Sequence, residues 1–133
     1  MSAQRMSESA LPSPADLRRQ RESVPGVTVR LYRSGRWVVV EVEGEMDIQV
    51  VPLIPVELGN EESFVVFELR GVTFMDAGGL GAIASTYRQA NEDGGCVRLA
   101  APSRQARRLL KLANSDRRFT TFDALADAVS TPF

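Results

Sequence analysis

Between Val27 and Glu43 the sequence alternates apolar and polar residues twice, with Ser34-Gly35 in the middle. Val27, Val29 and Leu31 interleave with Thr28, Arg30 and Tyr32, and after the turn Val38, Val40 and Val42 take up the same period. A period of two puts the valines on one face of an extended chain, and a two-residue turn containing glycine folds it back on itself, so the pattern predicts a β-hairpin. A hairpin with one apolar face is marginal alone in water. The remaining chain must therefore extend the sheet and cover that face.

The downstream sequence supplies both. Gly44-Glu45-Met46-Asp47 breaks the second strand, and Ile48 to Leu58 is apolar but carries Pro52 and Pro55. Proline inside a helix costs about 3 kcal/mol, so a short or kinked helix is expected there. Phe64 to Leu69 is apolar apart from Glu68, as in a buried central strand. Asp76 fits a helix N-cap, with Leu80, Ile83, Ala84 and Tyr87 on one helix face and Gly94-Gly95 at the end. Cys96 to Ala100 reads as a strand. Ser103 then caps a helix with Ala106, Leu109, Leu110 and Ala113 as its buried stripe. Phe119 to Phe122 reads as a last strand, and Asp123 as the cap of a final helix carrying Leu125, Ala128 and Val129. The expected fold is α/β: a mixed, mostly parallel sheet of about five strands that starts with a hairpin, packed by about four helices.

At 133 residues the chain is expected to form one domain, spanning 26–133. Residues 1–25 are rich in Ser and Pro, too poor in apolar groups to offset their ordering entropy, and read as a flexible extension. A helix over Ala15 to Glu22, capped by Ser13, would be marginal in isolation.

The absences restrict function. The chain has no histidine and one cysteine, Cys96. That removes histidine bases, histidine-ligated metals, internal disulfides and CxxC redox motifs, so neither a catalytic residue nor a metal or cofactor site is expected. Cys96 is expected to act as a small apolar residue. No apolar run approaches the roughly 20 residues of a membrane span, and no signal-peptide pattern opens the chain, so a cytoplasmic protein without membrane contact is expected. Net charge is −1. Arg104, Arg107, Arg108, Lys111, Arg117 and Arg118 form a basic region, but without interleaved aromatic residues it predicts an exposed helix face rather than a nucleic-acid site. Glu41, Glu43, Glu45 and Asp47 form an acidic run with no basic residue beside it in sequence. Gly79-Leu80-Gly81-Ala82-Ile83-Ala84 fits a dinucleotide fingerprint, but the long gap after Leu69 and the missing acidic residue after Ala100-Ala101 argue against that reading.

The most informative stretch is Val72-Thr73-Phe74-Met75-Asp76-Ala77-Gly78-Gly79-Leu80-Gly81-Ala82-Ile83. It runs from a strand into a helix N-terminus, where free N–H groups and half a positive charge collect, and its glycines permit a close approach by another group. The stretch resembles the signature of the STAS domain family, the fold of bacterial anti-sigma factor antagonists. Phe74, Met75, Asp76, Gly79, Leu80 and Gly81 match that signature, Gly44-Glu45-Met46-Asp47 resembles the family's turn after the hairpin, and Arg108 to Ala113 with Phe119 resembles its third helix and last strand. The resemblance spans about Val27 to Val129.

The resemblance implies a non-enzymatic partner-switching protein that binds a serine-kinase anti-sigma factor and so regulates transcription. It implies a contact surface of Gly44, Glu45 and Asp47 beside Asp76, Ala77, Gly78, Gly79, Leu80 and Gly81. In the family a hydroxyl residue after the Asp accepts phosphate from the kinase, and the added charge breaks the complex. Here the two acceptor positions are Ala77 and Gly78, which have no hydroxyl, so a non-switchable antagonist is implied. Thr73, Ser85 and Thr86 are the nearest hydroxyls. The alternative is a STAS scaffold subunit of a stress-signalling or lipid-transport complex. The sequence leaves monomer and homodimer both open.

Overall fold

The computed structural model describes residues 21–54 and 64–132. The hairpin is present: β2 (Val27–Ser34) pairs antiparallel with β3 (Trp37–Met46), with Val29 opposite Val42 and Leu31 opposite Val40. Gly35 closes its turn at φ +61°, in the left-handed region. A further strand, β1 (Arg21–Val24), precedes the hairpin and pairs antiparallel with β2. The ordered sheet thus begins within the segment expected to be a flexible extension, and the sheet has six strands rather than about five. Arg21 and Glu22, read as the end of a marginal helix, lie in this strand. The remainder of the extension falls outside the described residues.

After β3, Asp47 starts a 3-10 helix (Ile48–Leu53) that contains Pro52. This is the short helix expected from the prolines, and Pro55 falls outside the described residues. The central strand β4 (Phe64–Met75) lies parallel to β3 and runs six positions past its expected end at Leu69. Helix α1 (Ala77–Glu92), strand β5 (Cys96–Ala100), helix α2 (Arg104–Leu112), strand β6 (Thr120–Phe122) and helix α3 (Leu125–Ser130) complete the order. The strands lie side by side as β1-β2-β3-β4-β5-β6, antiparallel up to β3 and parallel beyond it.

The sheet divides the core. Val38, Val40 and Val42 of β3 join Val65, Phe67 and Leu69 of β4 under the 3-10 helix, α1 and α2, which contribute Val50, Ile83 and Leu110. Ile83 is fully buried and Tyr87 is half-buried against this cluster. On the opposite face Trp37, Val66 and Ala100 pack with Ala128 of α3. Arg98 is 5% exposed there. Its Nη1 donates to the carbonyls of Ala128 (2.8 Å) and Thr131 (2.6 Å), its Nη2 donates to that of Pro132 (3.1 Å), and its guanidinium stacks over Trp37 and Phe122. Three carbonyls at the end of a helix thus find one cation.

Local expectations fail where tertiary contacts outweigh them. Asp123 does not cap α3: the cap position is Ala124, without a side-chain bond, and Asp123 instead pairs with Arg107 of α2. Ala113 is exposed rather than part of the buried stripe, because α2 ends at Leu112 and the chain turns away. Cys96 is half-buried beside the Trp37 cluster, and burial pushes its thiol pKa up, which disfavours the reactive thiolate. The acidic run is not isolated from basic charge either. Arg30, opposite Glu41 on β2, forms an ion pair with it, and its Nε donates at 3.1 Å.

Candidate functional site

β3 and β4 end together: Met46 and Met75 are register partners, and each is followed by an aspartate that starts a helix. Oδ1 of Asp47 accepts from the backbone N–H of Gln49 at 2.9 Å. Oδ1 of Asp76 accepts from the N–H groups of Gly78 (2.8 Å) and Gly79 (3.2 Å). A carboxylate at this position satisfies donors that no helical carbonyl can reach and sits favourably on the helix dipole. The two helix starts are tied together by the N–H of Asp76, which donates to the carbonyl of Met46 at 3.3 Å.

The glycines explain how closely they approach. A Cβ on Gly79 would lie 2.1 Å from the carbonyl oxygen of Met46, and one on Gly78 would lie 2.7 Å from the nitrogen of Ile48. The group that approaches these glycines is the chain's own 46–48 segment. Since β4 runs to Met75, the gap that argued against a dinucleotide fingerprint is absent. The contact of Gly79 with Met46 decides the matter instead, because the space a pyrophosphate would need is filled by backbone. Gly44, at φ +105°, plays a similar part, since a Cβ there would lie 2.1 Å from the carbonyl oxygen of Gly26. That carbonyl accepts from the N–H of Glu45 at 2.9 Å.

All the residues inferred for a contact surface gather at this end of the sheet. Glu45, Asp76, Ala77 and Gly81 are exposed, Gly44, Asp47 and Gly78 are half-buried, and Gly79 and Leu80 face inward. The sequence reading missed two apolar residues beside them. Ile48, next to Asp47, is 70% exposed, and Phe74, two residues before Asp76, is 49% exposed. Phe74 stands in the matched signature, but nothing in the local sequence shows that its side chain is left open while that of Met75 is buried. Gln105 of α2 closes the other side: its Oε1 accepts from the N–H of Met75 at 3.0 Å and its Nε2 donates to the carbonyl of Met75 at 2.7 Å, as a neighbouring strand would.

Of the nearby hydroxyls, Thr86 is buried and donates to the carbonyl of Ala82 at 3.1 Å, which withdraws it from any kinase. Thr73 and Ser85 are exposed. No group of residues suited to hold a metal ion occurs among the described residues. No described helix is long and apolar enough to cross a membrane.

The parallel β3-β4 pair, each strand ending in an Asp-capped helix, lies within residues 28–128, which the STAS domain family model matches. The chain belongs to the STAS domain family. This STAS protein is similar to the crystal structure of an anti-sigma factor antagonist from Mycobacterium paratuberculosis, at 26% identity and a TM-score of 0.69 over 82% of this chain and 97% of that one. It is similar to the antagonist SpoIIAA in its unphosphorylated form, at 20% identity and a TM-score of 0.66 over 76% of this chain and 92% of that one. A sulfate transporter family protein from Wolinella succinogenes shares the fold at 18% identity and a TM-score of 0.61, over 71% and 83% of the two chains. None of the curated proteins matches this STAS chain in sequence.

Proposed function

We propose that this STAS protein is an anti-sigma factor antagonist, acting in the cytoplasm by occupying a kinase-type anti-sigma factor and not by catalysis. The observation that carries the proposal is the exposed start of α1, where Asp76 and Ala77 stand open beside Ile48 and Phe74. A partner covering that end of the sheet gains apolar burial from Ile48 and Phe74 and finds the segment already held rigid by both aspartate caps.

The complex formed in this way is not released by phosphorylation at the family's positions. Ala77 and Gly78 offer no oxygen to a kinase. Position 78 is closed sterically as well, since any side chain there begins 2.7 Å from the backbone of Ile48. Gly78→Ser would therefore disturb packing and restore a hydroxyl at once. Ala77 is exposed, so Ala77→Asp adds the charge without that confusion.

The test is binding of the full chain to each kinase-type anti-sigma factor of its own organism, with and without ATP. The expected result is a complex that persists with ATP, weakened by Ala77→Asp and by Ile48→Ser. If the wild type binds none of them, the antagonist reading fails and a scaffold role takes its place. Release by ATP with phosphate on Thr73 or Ser85 would show that the switch has moved along the chain.

A further inference from the structure

The cations of α2 take no part in the site just described. Arg104, Arg107, Arg108 and Lys111 are all exposed and recur at spacings of three and four. Such neighbours lie about 5–6 Å apart on a helix, and like charges in that relation destabilise it. Among the described residues only Arg107 of this group has an ion pair, from Nη2 to Oδ1 of Asp123 at 3.0 Å. The first turn of α2 also carries no acidic residue, although the helix dipole favours one there. The helix therefore holds a charge arrangement that works against its own stability, while the whole chain has a net charge of only −1.

The cationic stripe forms one wall of a groove of about 520 Å3 that closes on Leu110 and Phe119. Leu112, one turn past Arg108, is 78% exposed. Lys111 lies seven positions after Arg104, which at 1.5 Å per residue is about 10 Å of stripe. Alternate residues of an extended peptide recur at about 6.7 Å, so two or three carboxylates span it.

We propose that this groove docks an acidic segment of a partner protein, bound extended with carboxylates at alternate residues. The carboxylates meet Arg104, Arg108 and Lys111. A polynucleotide fits less well. Phe119 is buried and offers no stacking platform for a base. This surface is independent of the α1 start and of the partner proposed there.

Fluorescence anisotropy of the full chain with a short fluorescein-labelled peptide of alternating Glu and Gly tests the proposal. A peptide of alternating Gln and Gly, an oligothymidylate and inorganic pyrophosphate serve as competitors. Exposed ion pairs contribute roughly 1.5- to 5-fold each. Three of them should make the Glu peptide bind about tenfold tighter than the Gln peptide, with affinity falling as salt rises. Arg108→Glu combined with Lys111→Glu should remove that preference. Both residues are exposed, so the double variant should melt close to wild type, which separates lost binding from lost folding. Equal binding of Glu and Gln peptides, or an unchanged affinity in the double variant, would overturn the proposal. Stronger competition by oligothymidylate or by pyrophosphate would overturn it in favour of a nucleic-acid or phosphate site.

Discussion

Gly79→Ala and Gly81→Ala make the same chemical change two residues apart in α1 and are expected to shift stability in opposite directions. Alanine is favoured over glycine inside a helix by about 1 kcal/mol. At Gly81 nothing lies within 4 Å of the added Cβ, so the substitution should stabilise the protein by most of that amount. At Gly79 the Cβ would stand 2.1 Å from the oxygen and 2.8 Å from the carbon of the Met46 carbonyl. Backbone must move to admit it, and Met46 is fully buried at the end of a central strand. Overpacking of this kind costs about 1–3 kcal/mol. Loss of the bond from the N–H of Asp76 to that carbonyl adds about 0.5–1.5 kcal/mol. Set against the helix gain, Gly79→Ala should destabilise by about 0.5–3.5 kcal/mol. Urea titration followed by the fluorescence of Trp37, which is buried, reads both variants. If Gly79→Ala matches or exceeds wild type in stability, α1 and the 46–48 segment do not pack as described.

Arg98→Leu should cost about 2–4 kcal/mol, because three carbonyls at the C-terminal end of α3 lose their donor in a buried setting; a loss below about 0.5 kcal/mol by the same titration would contradict this. Glu68 is 8% exposed, its Oε1 has no hydrogen-bond partner, and burial raises its pKa above the ordinary 4.5, with neighbouring Glu41 adding to the effect. The native chain then binds this proton more tightly than the unfolded chain, so the contribution of Glu68 is most favourable below the unfolded value and is lost as pH rises toward the native one. Urea midpoints from acidic to neutral pH should show Glu68→Gln gaining on wild type as pH rises; a constant difference between the two would refute the assignment. Asp76→Ala should destabilise by about 0.5–2 kcal/mol through loss of the cap on Gly78 and Gly79, and an unchanged melting temperature would show that the cap is idle.

The hairpin, the helix after Asp76 and the order of later elements were legible in the sequence because each carries its own periodicity. β1 was not, since only Val24 of its four residues packs against the core. That the strand before Asp76 is continuous with Phe64 to Leu69 was hidden by Arg70, Gly71 and Thr73, which break the apolar run. What holds those residues extended is β3, across two register shifts between Glu41 and Glu45. Asp123 looked like a cap because local sequence contains no sign of Arg107, its partner sixteen residues away. At the candidate site the aspartate and the glycines were readable as a helix start. That the glycines meet the segment after β3 was not readable, because that contact joins residues about thirty positions apart.

The spatial order of the strands is also their order along the chain. Each strand after β1 adds beside its immediate predecessor, and none must be inserted between two strands already paired. Loop-closure entropy is therefore met one connection at a time. On the ribosome the hairpin can form first, and each later strand, with the helix that precedes it, can dock on an edge that already exists as it emerges. The edge left open at each stage is the one the next segment occupies, so the nascent chain carries its own cover for the surface most prone to aggregate.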